Sequence, residues 1–332
     1  MSEPLVFLKQ APDAVVQTDA LIAQWLAFER MEGLSQATLD TYQHSFGIFV
    51  TWFKQHAASQ SRDGEHAMPT SHAMPTSHDI RAFRVYVAER YKPASVNVYL
   101  AAVRSFFRYL VNTGRIARNP ATEIRGVKQP QGRKHKRDVL TRSEVLAVLE
   151  TCDLETPVGT RDRAILTLMA YCALRTVEVY RANIMHLRTQ GDRMILEVQG
   201  KGRLEADAFV VIPRAQEAYL RAWATHRARI QPNEMDTPLF ISLSHRSYGG
   251  RLTTRAIRWM VKQRYREAGV VGERKTTHSL RHTAITTVIR QGGSLLQAQA
   301  MARHADINTT LGYVHEISRL DRPAEDLIDY TT

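Results

Sequence analysis

Apolar residues keep the three- and four-residue spacing of an amphipathic helix through much of the stretch from Thr18 to Arg125. Leu21, Trp25, Leu26 and Phe28 mark a first helix; Leu39, Tyr42, Phe46, Phe49, Val50 and Phe53 mark a second. A third carries Val96, Leu100, Val103, Phe107 and Leu110 on one face and Asn97, Arg104 and Arg108 on another. Such a helix packs one side on a core and offers the other to solvent or to a polyanion, and spacing alone leaves both readings open.

Between these helices lies HAMPTSHAMPTSH, a six-residue unit in tandem that returns a histidine at positions 66, 72 and 78. A metal site is the tempting reading. Pro69 and Pro75 interrupt any regular scaffold that would hold ligands, so a loop lengthened by duplication is the expectation. A sharper boundary follows at GVKQPQGRKHKRD, residues 126–138, where periodicity gives way to Pro, Gly and basic residues. Lys128, Arg133, Lys134, Lys136 and Arg137 suit a linker that tracks a phosphate backbone. Thr141 and Glu144 then spell a capping box that opens the next helix.

The remainder mixes periods. Arg161 to Leu174 reads as an apolar helix; Met194, Leu196 and Val198 alternate, as do Phe209 and Val211, which predicts a small antiparallel sheet with Gly200-Lys201-Gly202 at a turn. Helices resume near Gln216, at Thr253 and from Ser279 onward. Arg251, Arg255, Arg258, Lys262 and Arg266 are expected to form a cationic stripe along one helix, whose self-repulsion calls for an anionic partner. The expected fold is mostly α with a small antiparallel β-sheet in the C-terminal domain. Its parts are an N-terminal extension over 1–17, a helical domain over 18–125, a basic linker over 126–138, a second domain over 139–316 and a tail over 317–332.

Charge narrows the partner. Across 332 residues, 45 Lys+Arg against 33 Asp+Glu leave a formal net charge of +12, which fits a phosphate-rich ligand and, on composition alone, equally a merely basic soluble protein. The two cysteines, Cys152 and Cys172, make neither a disulfide framework nor a thiolate metal site. With no signal-peptide pattern and no run long enough to span a bilayer, a soluble cytoplasmic protein is expected.

Cleaving a phosphodiester without a metal requires fixed cations for the equatorial oxygens, an acceptor for the nucleophile's proton and a donor to the leaving oxygen. The second domain holds such a set in order. Arg175 and Glu178 lie in ALRTVEV, Lys201 in GKGR, His278 and Arg281 in HSLRHTAIT, and His304 and Tyr313 in RHADINTTLGYVH. Taken singly, each is as readily a structural pair or a packing residue.

Together, Arg175, Lys201, His278, Arg281, His304 and Tyr313 resemble, in type and order, the active-site signature of tyrosine recombinases, the phage-integrase family. GLSQATLDTY and PASVNVYLAAVRSFFRYLVNTGRIARNPATEI are similar to that family's helical, SAM-like core-binding domain. The resemblance implies a two-domain DNA clamp without an arm-binding domain, with 139–316 catalytic. It implies a site-specific recombinase that cleaves and rejoins DNA through a 3′-phosphotyrosine link, in integration, transposition or dimer resolution. By resemblance, Arg175 and Arg281 hold the non-bridging oxygens and Lys201 protonates the 5′-oxygen. His278 takes the tyrosine proton, His304 donates to the phosphate, Glu178 orients its neighbours and Tyr313 attacks. Asn97, Arg104, Arg108, Lys134, Lys136, Arg137, Arg251, Arg255, Arg258 and Lys262 are the expected DNA contacts. The implied partners are duplex DNA with inverted half-sites and further copies of the chain, a dimer on one site and a tetramer in the synapse. The tail is a candidate for docking on a neighbouring subunit. No nucleotide, metal or other cofactor is expected.

Two features depart from the family pattern: Arg303 stands before His304 where many relatives have Gly, and Arg203-Leu204-Glu205-Ala206-Asp207 is unusually acidic for a hairpin arm. A type IB topoisomerase would share the chemistry without exchanging partners, and a DNA-binding regulator would share the fold without the chemistry.

Overall fold

A computed structural model describes residues 12–60, 74–128, 139–200, 206–232 and 234–314. The chain divides into two compact units, Met1–Lys134 and His135–Thr332.

The first unit is helical: α1 (Pro12–Met31), α2 (Gln36–Gln60), α3 (Ser77–Arg90) and α4 (Pro93–Asn112). Proline opens α4 where its missing N–H costs nothing. The buried stripe of α4 is wider than the spacing predicts, because Ala102, Phe106 and Tyr109 join Val96, Leu100, Val103, Phe107 and Leu110. Phe106 meets Phe46 at 4.2 Å and Trp25 edge-on at 5.5 Å between ring centroids. Truncating such a residue costs about 3–5 kcal/mol. The end of the six-residue repeat is structural: Pro75 is buried, and Thr76 caps α3 in a reciprocal box with Asp79. His66 and His72 lie outside the described residues, and His78 is exposed in the first turn of α3.

The second unit runs α5 (Arg142–Glu150), α6 (Pro157–Tyr171), α7 (Thr176–Arg181), strands β1 (Leu187–Gln190), β2 (Arg193–Val198) and β3 (Ala208–Val211), then α8 (Glu217–Ile230), α9 (Thr254–Glu267), α10 (Thr277–Arg290), α11 (Leu295–Ala302) and α12 (Ile307–Val314). The sheet is antiparallel in order β1-β2-β3, with Val198 opposite Ala208 where the second hairpin closes. Its outer strand differs from expectation: Phe209 and Val211 face outward and exposed, and Val210 is the residue that enters the core. The Thr141–Glu144 capping box forms as predicted.

Helix α6 is the centre of this unit, with Ala164, Ile165, Leu166, Leu168 and Met169 in the core. It begins four residues before the apolar run, after the Thr156 cap, and its second turn buries Arg161 and Asp162. Asp162 is paired with Arg161 at 2.7 Å and with Arg264 of α9 at 2.7 Å, which satisfies a charge otherwise costly to bury. Gly159 is required there, since a Cβ would sit 1.8 Å from the Asp153 carbonyl oxygen. After Cys172 the chain turns through Ala173 in the left-handed region, φ 51°, and that turn delivers Arg175 to the start of α7. Both cysteines are buried and free, and burial pushes the Cys172 thiol up to about 12.

Candidate active site

The turn between α6 and α7 sets the first cation. Arg175 precedes the first turn of α7; its backbone N–H donates to Glu178 Oε2 at 2.7 Å and its guanidinium Nη1 to Oε1 at 2.7 Å. Glu178 is fully buried, so its charge needs more than one partner. Arg303 supplies the second, with Nη2 at 2.7 Å from Oε2. Burial pushes the Glu178 carboxyl up, but the pull of Arg303 and the hydrogen bonds from Arg303 and Arg175 outweigh it and hold the group below its usual range.

Arg303 occupies a left-handed position, φ 53°, at the end of α11, where a residue without a Cβ fits most easily. Its guanidinium explains the exception. Besides Glu178, it donates to the carbonyls of Met301 at 2.7 Å and Ala173 at 3.2 Å. Ala173 and Arg303 are the two non-glycine residues with positive φ among the described residues, and their turns meet here. Strained backbone gathered at one place is the pattern of a functional site.

Arg281 of α10 binds these same two turns. The residue is 3% exposed, and its guanidinium donates to the carbonyls of Ala173 and Ala302. Burial and the neighbouring Arg175 lower its pKa to about 10, which still leaves it charged at neutral pH. Among the described residues, the cluster therefore sets three guanidiniums against one carboxylate, that of Glu178.

Tyr313, on α12, packs into the small apolar cluster of Ala173, Ala284, Ile285, Ala298 and Ala302 and is 8% exposed. Its hydroxyl lies 3.5 Å from His282 Nε2, with ring centroids 4.7 Å apart. The His304 ring stacks beside it at 5.8 Å. Burial, then the charges of Arg281, Arg175 and Arg303, push the His304 imidazole down to about 4, so it is neutral at pH 7. One face is fixed: Nδ1 lies 2.9 Å from the buried Thr310 hydroxyl.

The structure thus gathers Arg175, Glu178, Arg281, His304 and Tyr313. His278 is half-buried in the first turn of α10, three residues before Arg281 and hence on the same side of the helix. Lys201 lies outside the described residues, in the connection between β2 and β3. Two participants were missing from the expected set. Arg303 departs from the family pattern yet pairs with Glu178, and His282 lies outside the family signature yet meets the Tyr313 hydroxyl. The available signal for His282 was its place four residues after His278 on the same helix.

The expected nucleic-acid contacts divide. Asn97 exchanges hydrogen bonds with the Val127 backbone at 3.0 and 2.8 Å, Arg104 donates to the Ile124 carbonyl at 2.5 Å, and Arg108 pairs with Glu29 at 2.9 Å. Arg255, Arg258, Lys262 and Arg266 line the exposed side of α9, around an exposed Trp259. Arg251 is not on that helix, which begins at Thr254; its guanidinium donates to the Tyr180 carbonyl at 2.8 Å and Asn183 Oδ1 at 2.7 Å. Lys134, Lys136 and Arg137 lie outside the described residues. Among the described residues no His/Cys/Asp/Glu group suits a metal ion, and no helix is long and apolar enough to cross a membrane.

Known proteins resemble this chain in sequence and in fold. Residues 138–319 match the Phage integrase family and residues 22–114 match the N-terminal SAM-like domain of phage integrases. The chain is 29% identical over 298 residues to the tyrosine recombinase XerD of Lacticaseibacillus casei, spanning 89% of this chain and 93% of that protein. It is 30% identical over 300 residues to XerD of Pseudomonas putida, spanning 89% and 90%. Its fold is similar to XerH site-specific recombinase bound to palindromic difH substrate in a post-cleavage complex, with TM-score 0.72, 18% identity, and 98% of this chain and 99% of that one covered. It is also similar to a lambda integrase dimer bound to a COC′ core site, with TM-score 0.59, 17% identity, and 88% and 96% covered. The chain belongs to the phage integrase family and is a tyrosine recombinase, an enzyme that breaks and rejoins DNA strands.

Proposed function

We propose that this recombinase cleaves DNA at one phosphate through Tyr313, which becomes joined to the 3′ end. The observation that carries this reading is a largely buried surplus of positive charge beside Tyr313: among the described residues, three guanidiniums with one carboxylate among them. Buried cations in excess of their counter-ions are stabilised by an incoming anion, and most by one whose charge grows in the transition state. Arg175 and Arg281 would hold the non-bridging oxygens in the planar, forked geometry that suits them. Neutral His304 would donate a hydrogen bond to the phosphate rather than a proton. Glu178 and Arg303 would fix Arg175 and the two turns. Lys201, from the β2–β3 connection, would protonate the departing 5′-oxygen, and the phosphotyrosine bond would keep the energy of the broken diester for rejoining.

The domains that carry this chemistry are 18–125 for one side of the DNA and 139–316 for catalysis. The outer side of α9, with Arg255, Arg258 and Lys262, would meet the phosphate backbone. The Arg108 head, more than half exposed, would add contacts from α4. A lambda integrase structure similar in fold is a tetramer on a Holliday junction. We extend the same logic here: two copies on inverted half-sites, four in the exchange complex.

The test uses the full chain and a library of nicked duplexes with randomised cores. A nick near the cleavage point lets the short 5′-ended strand diffuse away, so cleaved DNA stays attached to protein through denaturation. Wild type is expected to yield such adducts and Tyr313→Phe none. Adducts formed equally by Tyr313→Phe would overturn the assignment. Exchange of flanks between two captured duplexes would separate recombination from simple relaxation.

A further inference from the structure

We infer that Arg181 is a positioning residue for the proton that reaches the departing 5′-oxygen. Its guanidinium ties the base of the β2–β3 connection, where Lys201 follows Gly200 in the chain, to helix α7. The inference rests on Lys201 being the proton donor, as proposed above, and names what aims it.

A lysine is a flexible four-carbon stem, so it transfers a proton in register with bond breaking only if its backbone is held. The sheet alone holds it weakly. Strands β2 and β3 pair at four positions and stop at Val198 opposite Ala208, short of Gly200. The outer face of β3 leaves Phe209 and Val211 exposed, so little packing steadies the hairpin from that side. Arg181 supplies the hold: half-buried at the end of α7, it donates through Nη1 to the Gly200 carbonyl at 2.7 Å. The Gly200 N–H in turn donates to Asp207 Oδ1 at 3.3 Å. Both backbone groups of the residue before Lys201 are thus engaged, and part of the unusually acidic arm acquires a purpose.

The anchor is rigid, and it belongs to the segment that places the phosphate's cation. Arg175 precedes α7 and Arg181 ends it, six residues and about 9 Å of helix later. Arg251 fastens that end, with Nη1 to the carbonyls of Tyr180 at 2.8 Å and Ala182 at 3.4 Å and Nη2 to Asn183 Oδ1 at 2.7 Å. The other arm of the hairpin is tied to the turn before Arg175: the Cys172 thiol lies 3.6 Å from the Val211 carbonyl, and the Cys172 carbonyl accepts from Arg303 at 3.5 Å. One short stretch therefore sets both the cation that grips the phosphate and the base of the loop that bears the acid. A shift of about 1 Å between them would cost on the order of a hundred-fold in rate.

The step itself balances without a co-reactant. The P–O5′ bond breaks with its electron pair left on the 5′-oxygen, the Lys201 ammonium passes a proton to that oxygen, and a neutral amine remains. Rejoining reverses the transfer.

The test isolates that proton. The probe is a captured duplex from the library, made once with oxygen and once with sulfur at the 5′-bridging position, because a thiolate leaves without being protonated. Arg181→Ala is expected to lower single-turnover cleavage of the oxygen duplex roughly ten- to a hundred-fold and to match wild type on the sulfur duplex. Arg181→Lys, which keeps a cation within reach of the Gly200 carbonyl, should recover most of the oxygen rate. Adding Arg181→Ala to Lys201→Ala should slow the oxygen duplex little further, since both act on one transfer. Arg175→Ala, by contrast, should lose rate on both duplexes. If Arg181→Ala does not fold, Asp207→Ala at an exposed position carries the same test, with a smaller loss on oxygen and none on sulfur. Equal losses on the two duplexes, or no loss on oxygen, would overturn the inference and leave Arg181 a structural tie. A Lys201→Ala loss that sulfur does not restore would instead fail the lysine assignment, a distinct result.

Discussion

Among the described residues, each unit buries one glutamate among hydrogen-bonding and cationic neighbours, and the two are balanced differently. Glu29, in α1, is fully buried; Arg108 donates to it at 2.9 Å, the Ser105 hydroxyl also donates, and Trp25 Nε1 completes the chain through Ser105 at 3.0 Å. One carboxylate meets one guanidinium whose far side is open to solvent. Glu178 is as deeply buried, yet it stands among three arginines, and its partner Arg303 occupies a backbone position that disfavours side chains. A balanced buried pair joins helices together. An unbalanced one, held on strained turns, is prepared for a further anion. The contrast separates architecture from chemistry more reliably than burial alone.

Among the charged residues compared, the largest effect should come from Arg281. Arg281→Ala is expected to lower cleavage about a hundred- to a thousand-fold, equivalent to about 2.7–4 kcal/mol of transition-state stabilisation, in a single-turnover assay with saturating protein. Arg108→Ala should lower the melting temperature and weaken DNA binding, while leaving the cleavage rate of DNA-bound protein unchanged. Equal losses of rate in both would erase the distinction.

Arg303→Gly comes next, because two terms oppose. Glycine relieves about 1–2 kcal/mol of left-handed strain, whereas breaking a buried ion pair costs about 3–5 kcal/mol. A net loss of about 2 kcal/mol is expected in denaturant unfolding, with weaker cleavage because Arg175 loses its support. A Gly variant more stable than wild type would show that the ion pair contributes little.

His304 gives a pH dependence of known sign. Its folded pKa is about 4, below the ordinary 6.5, so the unfolded chain binds more protons between those values. Stability should therefore fall as pH drops from about 6.5 to about 4. His304→Gln should flatten that part of a melting-temperature profile. An unchanged profile would mean the ring is not held among the arginines.

The smallest effect concerns the outer side of α9. Lys262→Ala should weaken DNA binding modestly and reduce the slope of log affinity against log salt by about one. An unchanged slope would remove Lys262 from the interface.

Much of this was legible in the chain. Val96, Leu100, Val103, Phe107 and Leu110 are all buried at their predicted spacing, and the sheet lies where alternation placed it. Arg175, Arg281, His304 and Tyr313 come together from segments far apart in the sequence. What spacing could not supply is which side chain of one helix meets a second. His282 and His278 share a side of α10, and only the packing of α12 brings His282 to the hydroxyl. Arg251 fits a helical spacing with Arg255, but pairing of Arg251 with Ile241 keeps it extended. Arg303 looked like a misplaced residue because its value depends on Glu178, 125 positions away.

The most direct measurement is on the trapped complex itself: digestion to peptides, mass analysis of the nucleotide-bearing fragment, and labelling of the freed DNA end. The account predicts a 3′-phosphonucleotide on the peptide containing Tyr313 and a free 5′-hydroxyl on the released strand. A modification on any other residue, or a 5′-linked nucleotide on Tyr313, would contradict it.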